Sequence, residues 1–213
     1  MKDIPVFTTD YGIASLMLEE IPCRQEAYIR VQTVFDGKLM ELVEECVGFC
    51  RACGAQRVFA TGAEGLEAFA LHCTVCQWQG DAPEGELACL WPVTTETMER
   101  WRSIANERLA GVDNAATITS KLAKEILTSG GAYFIHDNGT LLGIGWVQED
   151  CMRLLASVVP GAGEVVMRTL LSAAGSDRIR LEVASTNEKA LRLYEKMGFF
   201  PVLELCRWYR VYG

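Results

Sequence analysis

VASTNEKALRLYEKMGFF, residues 183–200, leaves a strand-like run, turns at Ser-Thr-Asn and opens a helix that stops at Gly198-Phe199. Ser185 and Glu188 have capping-box spacing, and Asn187 is an alternative N-cap. Ala190, Leu191, Leu193, Tyr194 and Met197 form an apolar stripe that Gly198 closes. This describes a buried amphipathic helix. A cap and an amphipathic aromatic at a helix edge are common structural devices, so Asn187 and Tyr194 take further meaning only from their surroundings.

Working outward, RIRLEVA (178–184) alternates as a strand and GEVVMRTLLSAAG (163–175) has helical spacing. CMRLLASVV (151–159) is a strand that runs into Pro160-Gly161-Ala162-Gly163. Before it, AYFIHDNGTLLGIGWVQ (132–148) holds two strand-like runs around Asp137-Asn138-Gly139, residues that tolerate the positive φ of a tight hairpin. LACLWPV is read as a strand, TTETMERWRSIANERLAG as a helix with Thr caps, TSKLAKEIL as a second helix and FPVLELCRWYRV as the last strand.

The first part of the chain reads as strands at 12–20 and 27–34, a helix at 38–54, a strand at 56–61 and a short helix at 65–73. QGDAPEGE (79–86) is the candidate linker. Residues 27–73 and 151–198 echo each other as strand, helix, strand, helix, which suggests a duplication.

Half of the 213 residues are hydrophobic and 23% are charged, as in a soluble globular protein. No apolar run is long enough to span a bilayer, so no membrane partner is expected. Nine cysteines, an odd number in a chain of this size, argue for a reducing compartment, and the cytoplasm is the expected location. The net charge of -8 lies almost wholly in residues 1–85, and neither part has the basic excess that nucleic-acid binding requires.

The order of elements in residues 87–213, with Asn-x-x-Ala-x-x-x-Tyr-x-x-x-Gly-Phe on the penultimate helix, resembles the GNAT N-acetyltransferase superfamily. The resemblance implies a mixed α/β fold: a mostly antiparallel sheet flanked by helices in residues 86–213, and a smaller, degenerate GNAT-like half-domain in residues 1–85. It further implies that the strands at 151–159 and 178–184 splay apart to admit acetyl-CoA. Ser157, Val158 and Val159 would meet the pantetheine and polarise the thioester, and the amides of Gly161, Ala162 and Gly163 would hold the pyrophosphate. Asn187, Ala190 and Tyr194 match positions that contact the cofactor, and Tyr194 matches the general acid that protonates the departing thiolate. In this sequence the loop after Pro160 is about four residues shorter than the family's pattern and lacks its Arg or Gln, while Glu164 stands in the first helical turn.

Transfer to an amine also needs the amine neutral, and Glu149 and Asp150 are the carboxylates nearest in sequence to the cofactor strand. The expected acceptor is a small-molecule or peptide amine. Two half-domains leave pairing within one chain, or across a homodimer, open. The rival readings are a non-catalytic protein that keeps the fold after losing its pyrophosphate loop, and a zinc module at 46–76. Cys50, Cys53, Cys73 and Cys76 have four-cysteine zinc spacing, yet Cys46, Cys50 and Cys53 also continue the apolar stripe of a helix. We therefore assign no metal site.

Overall fold

Residues 5–82, 84–85 and 88–213 are described by a computed structural model. The elements are β1 (Val6–Thr9), β2 (Gly12–Met17), α1 (Ile21–Arg24), β3 (Glu26–Val34), α2 (Leu39–Ala52), β4 (Arg57–Thr61), a 3-10 turn (Leu66–Ala68) and β5 (Ala70–Asp81). They continue with β6 (Cys89–Pro92), α3 (Met98–Leu109), α4 (Ser120–Ser129), β7 (Ala132–Asp137), β8 (Thr140–Gln148) and β9 (Cys151–Ser157). The chain closes with α5 (Gly163–Leu171), β10 (Arg178–Ala184), α6 (Glu188–Lys196) and β11 (Phe200–Tyr212). Among the described residues no helix is long and apolar enough to cross a membrane.

The chain divides into two compact units, residues 1–75 with 205–213, and residues 76–204. The final nine residues, read from the sequence as the end of the second domain, thus belong to the first unit. They do so because β11 pairs antiparallel with β4 at Tyr209↔Ala60 and Arg210↔Phe59.

In the second unit β6, β7, β8 and β9 form an antiparallel meander, and β10 joins β9 in parallel. The β7–β8 hairpin turns on Asn138 and Gly139, both at positive φ (46° and 81°) as the Asn-Gly pair predicts. Helices α3 and α4 cover one face: Met98, Trp101, Ala105, Ala123 and Ile126 pack on Phe134, Ile144, Leu154 and Ala156. Trp101 is fully buried and its indole N–H donates to the Tyr133 carbonyl at 3.2 Å. Helix α5 covers the opposite face, where Val166, Met167, Leu170 and Leu171 meet Ile135, Val147, Leu181 and Val183. It lies close because β8 presents glycines there. A Cβ on Gly143 would stand 2.6 Å from the Ala156 carbonyl oxygen, and one on Gly145 would run into the Leu170 side chain.

In the first unit β1, β2 and β3 are antiparallel, and β3 pairs in parallel with β4. Helix α2 packs Leu39, Leu42, Val43, Cys46 and Cys50 onto Ala27, Ile29, Val31, Val58 and Ala60. Burial pushes the thiols up, Cys46 to about 12 and Cys50 to about 11, so both pack as neutral small hydrophobes. Cys73 is buried on β5, whereas Cys53 is exposed past the end of α2. Among the described residues no three His, Cys, Asp or Glu side chains converge to hold a metal.

Two local expectations are corrected. Residues 65–73 form no helix beyond the single 3-10 turn, and the chain is extended from Ala70. Burial of Cys73 and Val75, two residues apart, has strand period. The echo between the halves therefore lacks its last helix, and His72 lies on a strand, its ring stacked on Phe59 at 4.2 Å. The candidate linker at 79–86 begins inside β5, which runs to Asp81. Its residues 83 and 86 lie outside the described residues. Strand β1 was not foreseen from the sequence.

Candidate active site

In the second unit β9 and β10 are in register at only two positions, Cys151↔Arg180 and Met152↔Leu181. Beyond them, among the described residues, the two strands share no ladder pairs, although β9 continues to Ser157 and β10 to Ala184. The strands have parted. By contrast, β3 and β4 of the first unit, the matching pair in the echo, stay in register at five positions from Glu26↔Arg57 to Arg30↔Thr61.

Hydrogen bonding on the β8 side decides which groups of β9 face the gap. Val158 N–H donates to the Leu142 carbonyl at 2.8 Å, and Val159 N–H reaches the same oxygen at 3.4 Å. Both amides are thus engaged and cannot polarise a thioester in the gap, which corrects the expectation for those two residues. Antiparallel ladders alternate bonded and non-bonded pairs. With Val158 bonded, Ser157, opposite Gly143, turns its N–H and C=O away from β8 towards β10.

At the end of this strand Gly161 takes a positive φ of 82° and Ala162 N-caps α5. Ala162 N–H is used on the Val159 carbonyl at 3.2 Å. The Gly163, Glu164 and Val165 amides have no acceptor among the described residues, as at any helix start without a side-chain cap. Glu164 is ion-paired with Lys196 of α6, which offsets its charge where an anion would lie. Gly163 also lets α6 approach, since a Cβ there would be 3.3 Å from Leu193.

Asn187 is the N-cap of α6, its side-chain oxygen accepting from Ala190 N–H at 3.3 Å. The capping function falls to Asn187 and leaves its side-chain amide N–H groups free of that duty. Two turns along, Tyr194 points into the layer between α6 and the sheet, near Phe199 and only 8% exposed. Its hydroxyl has no hydrogen-bond partner among the described residues, yet it is not one of the buried unsatisfied polar atoms. The oxygen therefore lies in the small part of the residue still open to solvent. Burial pushes the phenol up to about 12.

Glu149 is elsewhere. It sits at positive φ (51°) in the β8–β9 turn, at the end of β9 where β10 is still paired. Seven residues of strand, Cys151 to Ser157, a span of about 20 Å at 3.3 Å per step, separate that turn from the far end of β9. There it lines an open cleft of about 530 Å³ with Gln148, Asp150, Arg153 and Arg180. The Arg180 guanidinium, forked on Asp150 at 2.8 and 2.9 Å, holds that carboxyl below the usual range. Neither acid reaches the parted strands.

No protein-family profile matches this sequence, and no curated protein does. Solved structures match in fold. A GCN5-related N-acetyltransferase from Kribbella flavida superposes with a TM-score of 0.58 at 13% identity, covering 99% of this chain and 90% of that one. A GCN5-related N-acetyltransferase from Sphaerobacter thermophilus gives a TM-score of 0.55 at 12% identity, covering 94% and 77%. A tandem GNAT protein from the clavulanic acid biosynthesis pathway gives 0.52 at 13% identity, covering 94% and 78%. With its parted parallel strands and the helix start beside them, the chain has the fold of the GNAT acetyltransferases.

Proposed function

We propose that the second unit transfers an acetyl group from acetyl-CoA directly to an amine. The observation that carries this reading is the parting of β9 from β10 after Met152 and Leu181; the uncapped start of α5 follows β9, and Tyr194 belongs to the same core cluster as Leu181 and Val183 of β10. The residues fit such a co-substrate: a free strand edge for an extended chain, and a helix N-terminus for its anionic phosphates. When bound, acetyl-CoA supplies the activated acyl group.

The chain's own groups have defined tasks. Ser157 N–H donates to the thioester oxygen and stabilises the charge that builds there as the amine nitrogen forms its bond to the carbonyl carbon. The amides of Gly163, Glu164 and Val165 orient the phosphates. As the carbon–sulfur bond breaks, the Tyr194 hydroxyl gives its proton to the departing thiolate, and the proton shed by the nitrogen leaves through water. Glu149 has no part in this.

Acetyl-CoA at a hundredfold over its Kd is expected to stabilise the protein by about 2.7 kcal/mol. Free CoA thiol should then appear when amines are supplied. A protein that is stabilised yet releases no thiol with any amine is a binding protein; one that is not stabilised at millimolar acetyl-CoA has no such site.

A further inference from the structure

Charged side chains gather at the paired end of β9 and β10, where the acyl-transfer reading gives them no task. The cleft of about 530 Å³ that Glu149 lines also takes in Gln148, Asp150, Arg153 and Arg180. A smaller cavity of about 120 Å³ shares Arg153 and Arg180 with it and adds Gln77 and Glu182. Arg180 and Asp150 neutralise one another through their fork, and the Arg180 N–H is fixed on the Asp150 carbonyl at 2.8 Å. The other charges are not neutralised. Among the described residues the side chains of Glu149, Arg153 and Glu182 form no hydrogen bond or ion pair, with one another or with any other group. The Asp150 carboxyl and the Cys151 thiol feel the Arg153 charge, but no carboxylate lies within ion-pair distance of it.

Both facing charges stand on irregular backbone. Glu149 holds φ at 51°, the left-handed region in which a side chain is costly, and its carbonyl accepts from Gly175 N–H at 3.1 Å, which ties the turn to the segment after α5. Arg153 is the extra residue of a β-bulge: β8 and β9 are paired at Trp146↔Leu154 and next at Val147↔Met152, which leaves Arg153 without an opposite residue. The packing shows the same break. Met152 and Leu154, two residues apart, lie on opposite faces of the sheet, Met152 with α5 and Leu154 with α3, where an unbroken strand would point them the same way. A bulge re-aims its side chain, and this one sets the guanidinium in the cleft.

Opposite charges that line one cleft without pairing match a ligand that carries both. We propose that this cleft binds a small zwitterion, an amino acid, with its carboxylate on the fork of the Arg153 guanidinium and its ammonium on Glu149. A simple anion would meet the Glu149 carboxylate, and a simple amine would meet the Arg153 guanidinium, so each alone is disfavoured. The site lies at the end of β9 opposite Ser157 and stands whether or not the parted strands hold acetyl-CoA.

The test titrates the full chain, followed by its amide chemical shifts, with γ-aminobutyrate and with L-alanine. Alongside run analogues that lack one charge: butylamine and butyrate for the first, ethylamine and propionate for the second. At least one amino acid should move the amides of residues 148–153 saturably and bind about tenfold tighter than its own analogues, a difference of about 1.4 kcal/mol. R153A and E149Q should each remove that advantage, and R153K should restore part of it, because a lysine keeps the charge and loses the fork. E149G should lose binding while its unfolding midpoint holds or rises, since glycine suits the left-handed turn; a glutamate of purely structural use would not show that split. Acetyl-CoA should act on every variant as it does on the wild type.

A single-charge analogue that binds as tightly as the amino acid overturns the inference. So does wild-type affinity in R153A, or the lack of a saturable shift with both amino acids. If R153A fails to fold, R153Q carries the comparison. A wild type that acetyl-CoA does not stabilise sinks the acyl-transfer reading and leaves this site standing.

Discussion

Tyr194→Phe is expected to lower kcat by about 10²- to 10⁴-fold, the usual contribution of a positioned general acid, while acetyl-CoA still binds. The substitution removes a hydroxyl that has no hydrogen-bond partner among the described residues and keeps the ring that packs beside Phe199. Stability at neutral pH should therefore stay within about 0.5 kcal/mol of the wild type. The pH dependence has a defined sign. Burial raises the phenol from its ordinary value near 10 to about 12, so the folded chain keeps a proton that the unfolded chain gives up. Stability from this group is fully present below about pH 10 and declines as pH rises towards 12. Tyr194→Phe should remove that share of the alkaline loss. In the pH–rate profile any alkaline limb below pH 11 then belongs to a group other than this phenol. A variant with wild-type kcat would remove Tyr194 from the chemistry.

Gly143→Ala should cost about 2 to 3 kcal/mol, from overpacking against atoms that cannot retreat. The added methyl would stand 2.6 Å from the Ala156 carbonyl oxygen, which is backbone, and 2.8 and 2.9 Å from the two methyls of Val166. Relief requires α5 to lift from β8 or β9 to shift; the first movement displaces the α5 start and the second displaces Ser157. Thermal unfolding should fall by roughly 2–4 °C per kcal/mol for a chain of this size, and acetyl-CoA affinity should weaken as well. An unchanged midpoint would show that the helix does not depend on this close approach.

Where one short segment carried enough local information, the sequence was legible. The α6 stripe, its Asn187 cap and the Asn138-Gly139 hairpin each rest on chemistry within a few residues. Residues 65–73 were misread because a short apolar run fits helix or strand alike, and only its pairing in the folded chain decides. Glu149 was misplaced for a different reason: being near a strand in sequence does not say which end of it carries the chemistry, and β9 is long enough to keep its ends apart. Ser157 was named with Val158 and Val159, but only the bond from Val158 to Leu142 shows which of the three turns to the gap.

Amide hydrogen exchange, measured with and without saturating acetyl-CoA, tests the parted strands most directly. Exchange should slow in residues 155–165 and 182–190, with Ser157 and the first amides of α5 most protected, and remain unchanged where β3 runs beside β4. Protection spread evenly over the chain, or confined to the cleft around Glu149 and Arg180, would contradict a thioester lying between β9 and β10.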